Sequence, residues 1–204
     1  MIDPVTMNAR KPRDDSYGHA MLERMNEHHR ELHGWALAHL SLEGAKRFLD
    51  IGFGGGQNIK NLRSMAPEGE FWGIDYSEAS LKKCKELNED GIRQGKVHLA
   101  QGSAEALPYE KDFFQLVTAF ETVYYWPSIE TCFRNVWEVL APGGTFLICN
   151  EDSYLEGNEA IADALHMEFY SPEELEALLR QAGFSQVSTD RHENGKWICA
   201  VGRK

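Results

Sequence analysis

A run of glycines and two aspartates in the first half of the chain have the types and spacing of a ligand site. Asp50 directly precedes the run Ile51-Gly52-Phe53-Gly54-Gly55-Gly56, and Asp75 follows about 25 residues later. Glycines let a backbone approach a ligand closely, and a helix that begins after them directs N–H groups at an anion. A carboxylate at the distance of Asp75 is suited to hold two ribose hydroxyls. The pattern therefore predicts a nucleoside-containing cofactor.

The spacing of the glycines favours one cofactor over another. In the dinucleotide fingerprint the third glycine stands three positions after the second, whereas here Gly56 stands two positions after Gly54. Asp50 beside the loop would repel a pyrophosphate but would suit the ammonium group of a methionine moiety. The pattern favours S-adenosylmethionine over NAD, with a purely structural turn and a nicotinamide-dependent oxidoreductase as alternatives.

A second group of candidate residues follows the apolar run Phe113 to Phe120. Glu121 could orient an acceptor or take its proton, or it could be a solvated or capping carboxylate. Tyr124, Tyr125 and Trp126 could wall an aromatic or cationic pocket, or they could pack against the sheet.

Histidines near the N-terminus offer a third group. His28 and His29 share a helical stripe with Met25 and Leu32, which predicts either buried histidines or part of an acceptor pocket. His29 and His33 have the spacing of paired metal ligands, but no third ligand is placed by the sequence, so no metal is predicted.

Alternating strands and helices must position these residues. We expect strands at 47–51, 70–75, 97–99, 113–120, 145–149, 184–189 and 197–201, and helices at 20–40, 59–65, 77–90, 129–140 and 171–183. This alternation predicts a mostly parallel sheet with helices on both faces, and the Asn194-Gly195 turn predicts a terminal hairpin. We expect a flexible lead-in over 1–19 and a single domain over 20–204, with 20–40 as a cap helix.

The composition excludes several classes of protein. The net charge of −11 argues against a nucleic-acid partner, and no apolar run is long enough to span a membrane. Four scattered cysteines, without a C-x-x-C pair, predict buried thiols and a cytoplasmic location.

Four segments resemble the motifs of the class I S-adenosylmethionine-dependent methyltransferases, in the subgroup similar to the ubiquinone and menaquinone biosynthesis enzymes. These segments are Leu49–Gly56, Gly73–Ser77, Gly102–Pro108 and Leu140–Gly144. The resemblance implies a Rossmann-like three-layer αβα sandwich with a seven-stranded, mostly parallel sheet. Its strand order would be 3-2-1-4-5-7-6, with strand 7 antiparallel.

The resemblance also implies roles for individual residues. The cofactor-binding residues would be Asp50, Gly52, Phe53, Gly54, Asn58, Asp75, Tyr76, Ser77, Gly102, Ser103, Ala104 and Phe120. Ser103 departs from the aspartate that the family often has at this position. Glu121 would be catalytic beside the methyl group, with Tyr17, His28, His29, Tyr124, Tyr125 and Trp126 on the acceptor side. Tyr17 resembles a lid residue.

The implied activity is methyl transfer from S-adenosylmethionine to a small-molecule acceptor by in-line displacement. A non-catalytic S-adenosylmethionine-binding protein and an oxidoreductase remain alternatives. The chain lacks the Asn/Asp-Pro-Pro-aromatic motif of nucleobase and amide methylases, which argues against those acceptors. We expect a monomer or homodimer whose partner is a small molecule, not a nucleic acid or a membrane.

Overall fold

The computed structural model describes residues 2–152 and 154–204. The helices are α1 (Ser16–His28), α2 (Arg30–Leu37), α3 (Gln57–Met65), α4 (Glu78–Leu87), α5 (Glu89–Arg93), α6 (Ile129–Val139), α7 (Glu159–Leu165) and α8 (Pro172–Ala182). The strands are β1 (Arg47–Ile51), β2 (Glu70–Asp75), β3 (Val97–Gln101), β4 (Phe114–Phe120), β5 (Leu140–Asn150), β6 (Ser185–Arg191) and β7 (Ile198–Arg203). Short 3-10 helices cover Thr6–Asn8 and Val123–Tyr125.

The seven strands have the order β3-β2-β1-β4-β5-β7-β6. β2 is parallel to β1 and to β3, and β4 is parallel to β5. β7 runs antiparallel to both β5 and β6. The order and the single reversed strand confirm the predicted Rossmann-like α/β fold class. None of the helices in the described chain combines the length and apolar character that crossing a bilayer requires.

Several predicted boundaries were wrong. The cap helix expected over 20–40 begins at Ser16 and is two helices, because His29 has a ψ of 10° that ends α1 and starts α2. The helix expected over 77–90 ends at Leu87, so Gly91 lies inside the separate helix α5. The fifth strand begins at Leu140, since Gly143 donates its N–H to the Lys204 carbonyl and keeps the turn in the sheet.

The chain folds as two compact units. The first contains the described residues up to Ser103, where α3 and α4 pack on β2, and α4 and α5 pack on β3. Phe48 on β1 and Phe71 on β2 are fully buried and stack with ring centres 4.9 Å apart. Each such side chain stabilises the fold by roughly 1.5–3 kcal/mol relative to an exposed one. This packing joins the two strands that carry Asp50 and Asp75.

The second unit runs from Ala104 to Lys204 and has its own core. Phe133 of α6 meets Phe146 of β5 edge to face at 5.5 Å, and Trp126 stacks parallel to Phe146 at 6.3 Å. Ser171 and Glu174 form a capping box at the start of α8. Between β5 and α8 this unit also contains the short helix α7. The single-domain organisation and the flexible lead-in stay predictions.

Candidate functional site

The glycine run follows β1 as a tight loop with an open side. Gly54 and Gly56 have φ values of 50° and 83°, in the left-handed region where a side chain causes strain. A Cβ on Gly54 would meet no atom of the described chain within 4 Å, so the space beside this residue is open to a ligand. Gly56 is the N-cap of α3, which no described side chain caps. The loop therefore leaves an open space beside Gly54, close to the start of α3.

Asp75 holds this loop in place from the end of β2. One carboxylate oxygen accepts the N–H of Gly54 at 2.9 Å, and the other accepts the N–H of Ser77 at 2.8 Å. The side chain is only 6% exposed. Burial raises the pKa of Asp75 to about 6, although its hydrogen bonds to the amides of Ser77 and Gly54 oppose the shift. The carboxylate is thus mostly ionised at neutral pH and keeps lone pairs for a ligand.

Asp50 lies at the end of β1 and is also buried, at 2% exposure. Its Oδ1 accepts a hydrogen bond from Nδ2 of Asn58 at 2.8 Å. Asn58 lies in the first turn of α3 and is buried as well. The structure therefore brings these two predicted cofactor residues together. It also gives Asn58 a role that the motif alone did not show, because this amide orients the Asp50 carboxylate.

Three residues that the sequence analysis did not predict contact the glycine loop. They lie on β2, on α4 and in the turn after α4. A Cβ on Gly73 would meet the ring of Phe53 at 2.7 Å, so this glycine makes room for the buried phenyl group. Asn88 donates a hydrogen bond from Nδ2 to the Gly56 carbonyl at 3.1 Å. The thiol of Cys84 occupies the space where a Cβ on Gly56 would lie. An asparagine after a helix is a common turn residue, so no signal in the sequence marks this support.

Tyr76 and Ser77 follow Asp75 directly. The Ser77 hydroxyl accepts the N–H of Ser80 at 3.2 Å and so caps α4. The same hydroxyl donates to the Pro12 carbonyl at 2.7 Å, and the Tyr76 hydroxyl donates to the carbonyl of Arg10. The sequence did not predict these contacts with the N-terminal residues.

The predicted residues after β3 divide between the two units. Gly102 donates its N–H to the Asp75 carbonyl at 3.0 Å, and the next residue, Ser103, is half-buried. Ala104 belongs to the second unit, where it is buried and its carbonyl accepts Nδ2 of Asn135 at 3.0 Å. Gly102 thus joins the group around Asp75.

Glu121 lies directly after β4 and has a φ of 54°, an unusual conformation for a residue with a side chain. Its Oε2 accepts the Tyr124 hydroxyl at 2.8 Å, and its Oε1 accepts the N–H of Glu151. Burial raises the pKa of Glu121 to about 8, and the hydrogen bonds from Tyr124 and Glu151 oppose the shift. A half-buried carboxyl group with a strained backbone and a pKa near neutrality is typical of a functional site. Phe120, the preceding residue, is buried at the end of β4.

The three aromatic residues after Glu121 differ in their environments. Tyr124 is buried and meets the half-buried Tyr125 edge to face at 4.6 Å. Trp126 is buried, and its indole N–H donates to Oγ1 of Thr122 at 3.2 Å. Trp126 therefore packs in the core of its unit, the alternative that the sequence left open, whereas Tyr124 lies directly against Glu121.

The N-terminal candidates lie near the surface of the first unit. Tyr17 is 48% exposed, His28 is exposed and His29 is half-buried, with the two imidazole rings 5.2 Å apart. The buried histidine of this region is His33, and burial lowers its pKa to about 3. The interpretation of His28 and His29 as buried core histidines was therefore wrong. Their assignment to an acceptor pocket, like that of Tyr17, stays a prediction.

Comparison with known proteins identifies the domain. Residues 49–148 match the family model described as a methyltransferase domain. The chain contains a class I S-adenosylmethionine-dependent methyltransferase domain. The matched residues run from the end of β1 to β5 and include Asp50, the glycine loop, Asp75 and Glu121. S-adenosylmethionine is the cofactor of this methyltransferase.

Two curated relatives support the family. A demethylmenaquinone methyltransferase of Lactococcus lactis is 34% identical over 108 residues, which are 52% of this chain and 42% of the relative. An uncharacterized methyltransferase of Bacillus subtilis is 26% identical over 184 residues, which are 85% of this chain and 91% of the relative. This chain thus spans less than half of the first relative's length.

Two solved structures share the fold. A candidate methyltransferase of Haloferax volcanii, in complex with the Trm112 methyltransferase activator, matches with a TM-score of 0.81 and 19% identity, over 100% of this chain and 98% of that one. A phosphoethanolamine N-methyltransferase of Haemonchus contortus, in complex with S-adenosyl-L-methionine, matches with a TM-score of 0.79 and 14% identity. That match covers 100% of this methyltransferase and 60% of the other chain.

Proposed function

We propose that this methyltransferase transfers a methyl group from S-adenosylmethionine to a small-molecule acceptor by in-line displacement. The observation that carries the proposal is the position of Asp75. Its carboxylate is buried, holds the glycine loop through the Gly54 amide, and lies beside the open space at Gly54. This arrangement suits a ligand that offers hydroxyl groups to a carboxylate and an anionic group to main-chain N–H groups.

The residues of the first unit fit the parts of this cofactor. Asp75 would accept the ribose hydroxyls, and Tyr76 would pack on the adenine. The carboxylate of Asp50, oriented by Asn58, suits the ammonium group of the methionine moiety. The start of α3 suits its carboxylate, because helix N-termini bind anions. When bound, the cofactor supplies an activated methyl group on a sulfonium, which is a good leaving group.

Glu121 of the second unit is the candidate for handling the acceptor's proton. An acceptor hydroxyl or amine that arrives protonated must lose its proton, and a carboxylate is a suitable base. The raised pKa of Glu121, about 8, matches that task near neutral pH. The Tyr124 hydroxyl and the Glu151 N–H fix the direction of the carboxylate. An acceptor that arrives deprotonated would need Glu121 only for orientation.

Calorimetry tests the cofactor. S-adenosylmethionine and S-adenosylhomocysteine are titrated into the protein, with NAD as the matched competitor. We expect the first two to bind and NAD not to bind. Binding of NAD without binding of S-adenosylmethionine would reverse the assignment and favour an oxidoreductase.

A methylation assay tests the transfer. The protein and S-adenosylmethionine are incubated with amines, phenols and quinol precursors. Phosphoethanolamine and demethylmenaquinone are included because one structural neighbour is a phosphoethanolamine N-methyltransferase and one relative is a demethylmenaquinone methyltransferase. Formation of S-adenosylhomocysteine that requires both protein and acceptor supports the proposal. Cofactor binding without turnover on any acceptor would favour a non-catalytic binding protein.

A further inference from the structure

The last residue of β5 is a buried asparagine whose amide oxygen the fold leaves unpaired. Asn150 is 1% exposed, and its Oδ1 has no hydrogen-bond partner within the described residues, 2–152 and 154–204. Burying an amide oxygen without a hydrogen bond costs free energy, because the oxygen loses its bonds to water. Folded proteins contain few such groups, so this one calls for a reason.

Other buried asparagines of the chain show how the fold satisfies such side chains. Asn8 is 2% exposed, and its Nδ2 donates to the Pro4 carbonyl at 2.9 Å. Its Oδ1 accepts hydrogen bonds from the main-chain N–H and from Nε of Arg13, each at 3.2 Å. Nδ2 of the buried Asn88 donates to the Gly56 carbonyl at 3.1 Å. The chain therefore pairs buried amides where they serve the fold, which sets the end of β5 apart.

Two neighbours of Asn150 in the sheet are unable to pair with its amide. Ile148 precedes it by two residues on β5, and Ile198 lies opposite it on β7. Side chains alternate along a strand and directly opposed residues share a face, so all three face the same side of the sheet. Both isoleucines are buried and apolar. On these two sides the amide therefore meets no polar side chain.

On the β4 side, the residue beside Asn150 is Glu121. The parallel register of β4 and β5 ends with the pair Phe120 and Cys149, and the Glu121 N–H donates to the Cys149 carbonyl at 2.9 Å. Neighbouring strands lie about 4.8 Å apart. Both carboxylate oxygens of Glu121 already accept hydrogen bonds from other residues. An amide and a carboxylate thus end two adjacent strands, close enough to meet neighbouring atoms of one small molecule.

We infer that Asn150 binds the acceptor, through a polar group next to the atom that receives the methyl group. In an open α/β sheet, ligands bind beyond the carboxyl ends of the strands, which is where β4 and β5 present Glu121 and Asn150. The acceptor class is a molecule with a hydroxyl group beside its methyl-accepting oxygen or nitrogen, as in catechols and amino alcohols. That hydroxyl donates to Oδ1 of Asn150, while Glu121 faces the methyl-accepting atom. This inference rests on the proposed function.

Thermal unfolding of the protein tests whether the amide serves binding and not folding. Asn150→Leu keeps the branched shape of the side chain and removes the unpaired amide, and Asn150→Ala removes it without adding volume. We expect at least one of the two to raise the melting temperature by about 2–4 °C. Asn8→Leu and Asn8→Ala are the matched controls and should lower it, because each breaks three hydrogen bonds. Lower melting temperatures in both Asn150 variants would show that the amide stabilises the fold, and would overturn the inference.

Matched probes test the acceptor class. Catechol is compared with phenol, and ethanolamine with ethylamine, by calorimetry on the protein saturated with S-adenosylhomocysteine. The members of each pair differ by one hydroxyl group. We expect catechol or ethanolamine to bind about three- to tenfold more tightly than its partner, as one hydrogen bond allows. This preference should disappear in Asn150→Leu and persist in Asn8→Leu, since only the first variant removes the proposed partner of the hydroxyl.

The outcomes separate this inference from the proposed function. A wild-type protein that does not bind S-adenosylhomocysteine overturns both. If S-adenosylhomocysteine binds and neither pair shows a preference, or no probe binds, the inference alone is overturned. A preference that survives in Asn150→Leu also overturns it. Loss of the preference in Asn150→Leu, with unchanged affinity for S-adenosylhomocysteine, supports it.

Discussion

The ends of β2 and β4 each carry an acid whose pKa is raised, and the two acids are held in different ways. Asp75 has both oxygens on main-chain amides, those of Gly54 and Ser77. Glu121 has one oxygen on the Tyr124 hydroxyl and the other on the Glu151 amide, and its backbone is left-handed. Main-chain amides are present whatever the side chains are, so the arrangement at Asp75 suits a ligand that is common to a whole family. The arrangement at Glu121 depends in part on the side chain of one tyrosine, which suits an acceptor that differs from one enzyme to another.

The two acids also differ in charge. Burial raises the pKa of Asp75 to about 6 and that of Glu121 to about 8. At pH 7 Asp75 is therefore mostly ionised, as a hydrogen-bond acceptor for a ribose must be, whereas Glu121 is mostly protonated. The difference allows each acid to be tested by itself.

Replacing Glu121 should have the largest effect. Glu121→Gln keeps the size of the side chain but cannot take a proton, so we expect kcat to fall about 100-fold or more while cofactor affinity is unchanged. In the wild type, kcat should rise with pH up to about 8, where the carboxylate forms, and this rise should be absent from the variant. Glu138→Gln, an exposed residue paired with Lys111, is the control. A variant with wild-type kcat would show that Glu121 is not the base.

Replacing Asp75 should have the second-largest effect, which is a loss of cofactor affinity. Asp75→Ala removes the acceptor for the ribose and releases the Gly54 amide, so we expect a loss of about 1–3 kcal/mol in the binding of S-adenosylmethionine. Calorimetry measures the change. Asp90→Ala, at an exposed aspartate that pairs with Arg63, should bind as the wild type does. An unchanged affinity in Asp75→Ala would contradict the role of this residue.

The pKa of Asp75 predicts a pH dependence of binding with a definite sign. Since the ionised form accepts the ribose hydroxyls, affinity should fall about tenfold between pH 7 and pH 5, as the group is protonated through about pH 6. Folding stability should change in the opposite direction, because the folded pKa is raised above the unfolded one. The unfolding free energy should decrease as pH rises from about 4 to about 6. Asp75→Asn should lose both dependences, and their persistence would assign them to another group.

The smallest effect is expected at Tyr124. Its hydroxyl lowers the pKa of Glu121, so Tyr124→Phe should move the rising limb of the kcat profile to higher pH and reduce kcat at pH 7 a few-fold. Tyr170→Phe is a matched control, since the Tyr170 hydroxyl also donates to a glutamate at 2.8 Å but is exposed. An identical pH profile in Tyr124→Phe would show that the hydrogen bond does not tune Glu121.

The sequence predicted most of the fold, because hydrophobic patterning and turn residues agree along it. The apolar run Phe113 to Phe120 contains the buried strand β4, and the helix expected over 171–183 is α8. The break at His29 was missed, since no proline or glycine marks it. A single φ, ψ change is enough to end a helix, and no residue type at this position signals it.

The motifs predicted which residues of the cofactor site come together, but not how they are held. Asp50 and Asp75 were placed at strand ends by the position of the glycines. The supports at Asn88 and Cys84 come from segments that are distant in sequence, so local patterns could not predict them. The contacts of Arg10 and Pro12 were missed for another reason, because both use main-chain carbonyls that every residue carries.

The Cys84 thiol lies beside Gly56, so its reactivity can report the opening of the glycine loop without an introduced probe. Cys84 is fully buried, and burial raises the pKa of its thiol well above the usual range, so the folded protein protects it from alkylation. A reagent reaches the sulfur only when α4 and the glycine loop separate. The alkylation rate of this native cysteine therefore reports how often the loop opens, and any ligand that stiffens the loop will lengthen the lifetime of the free thiol.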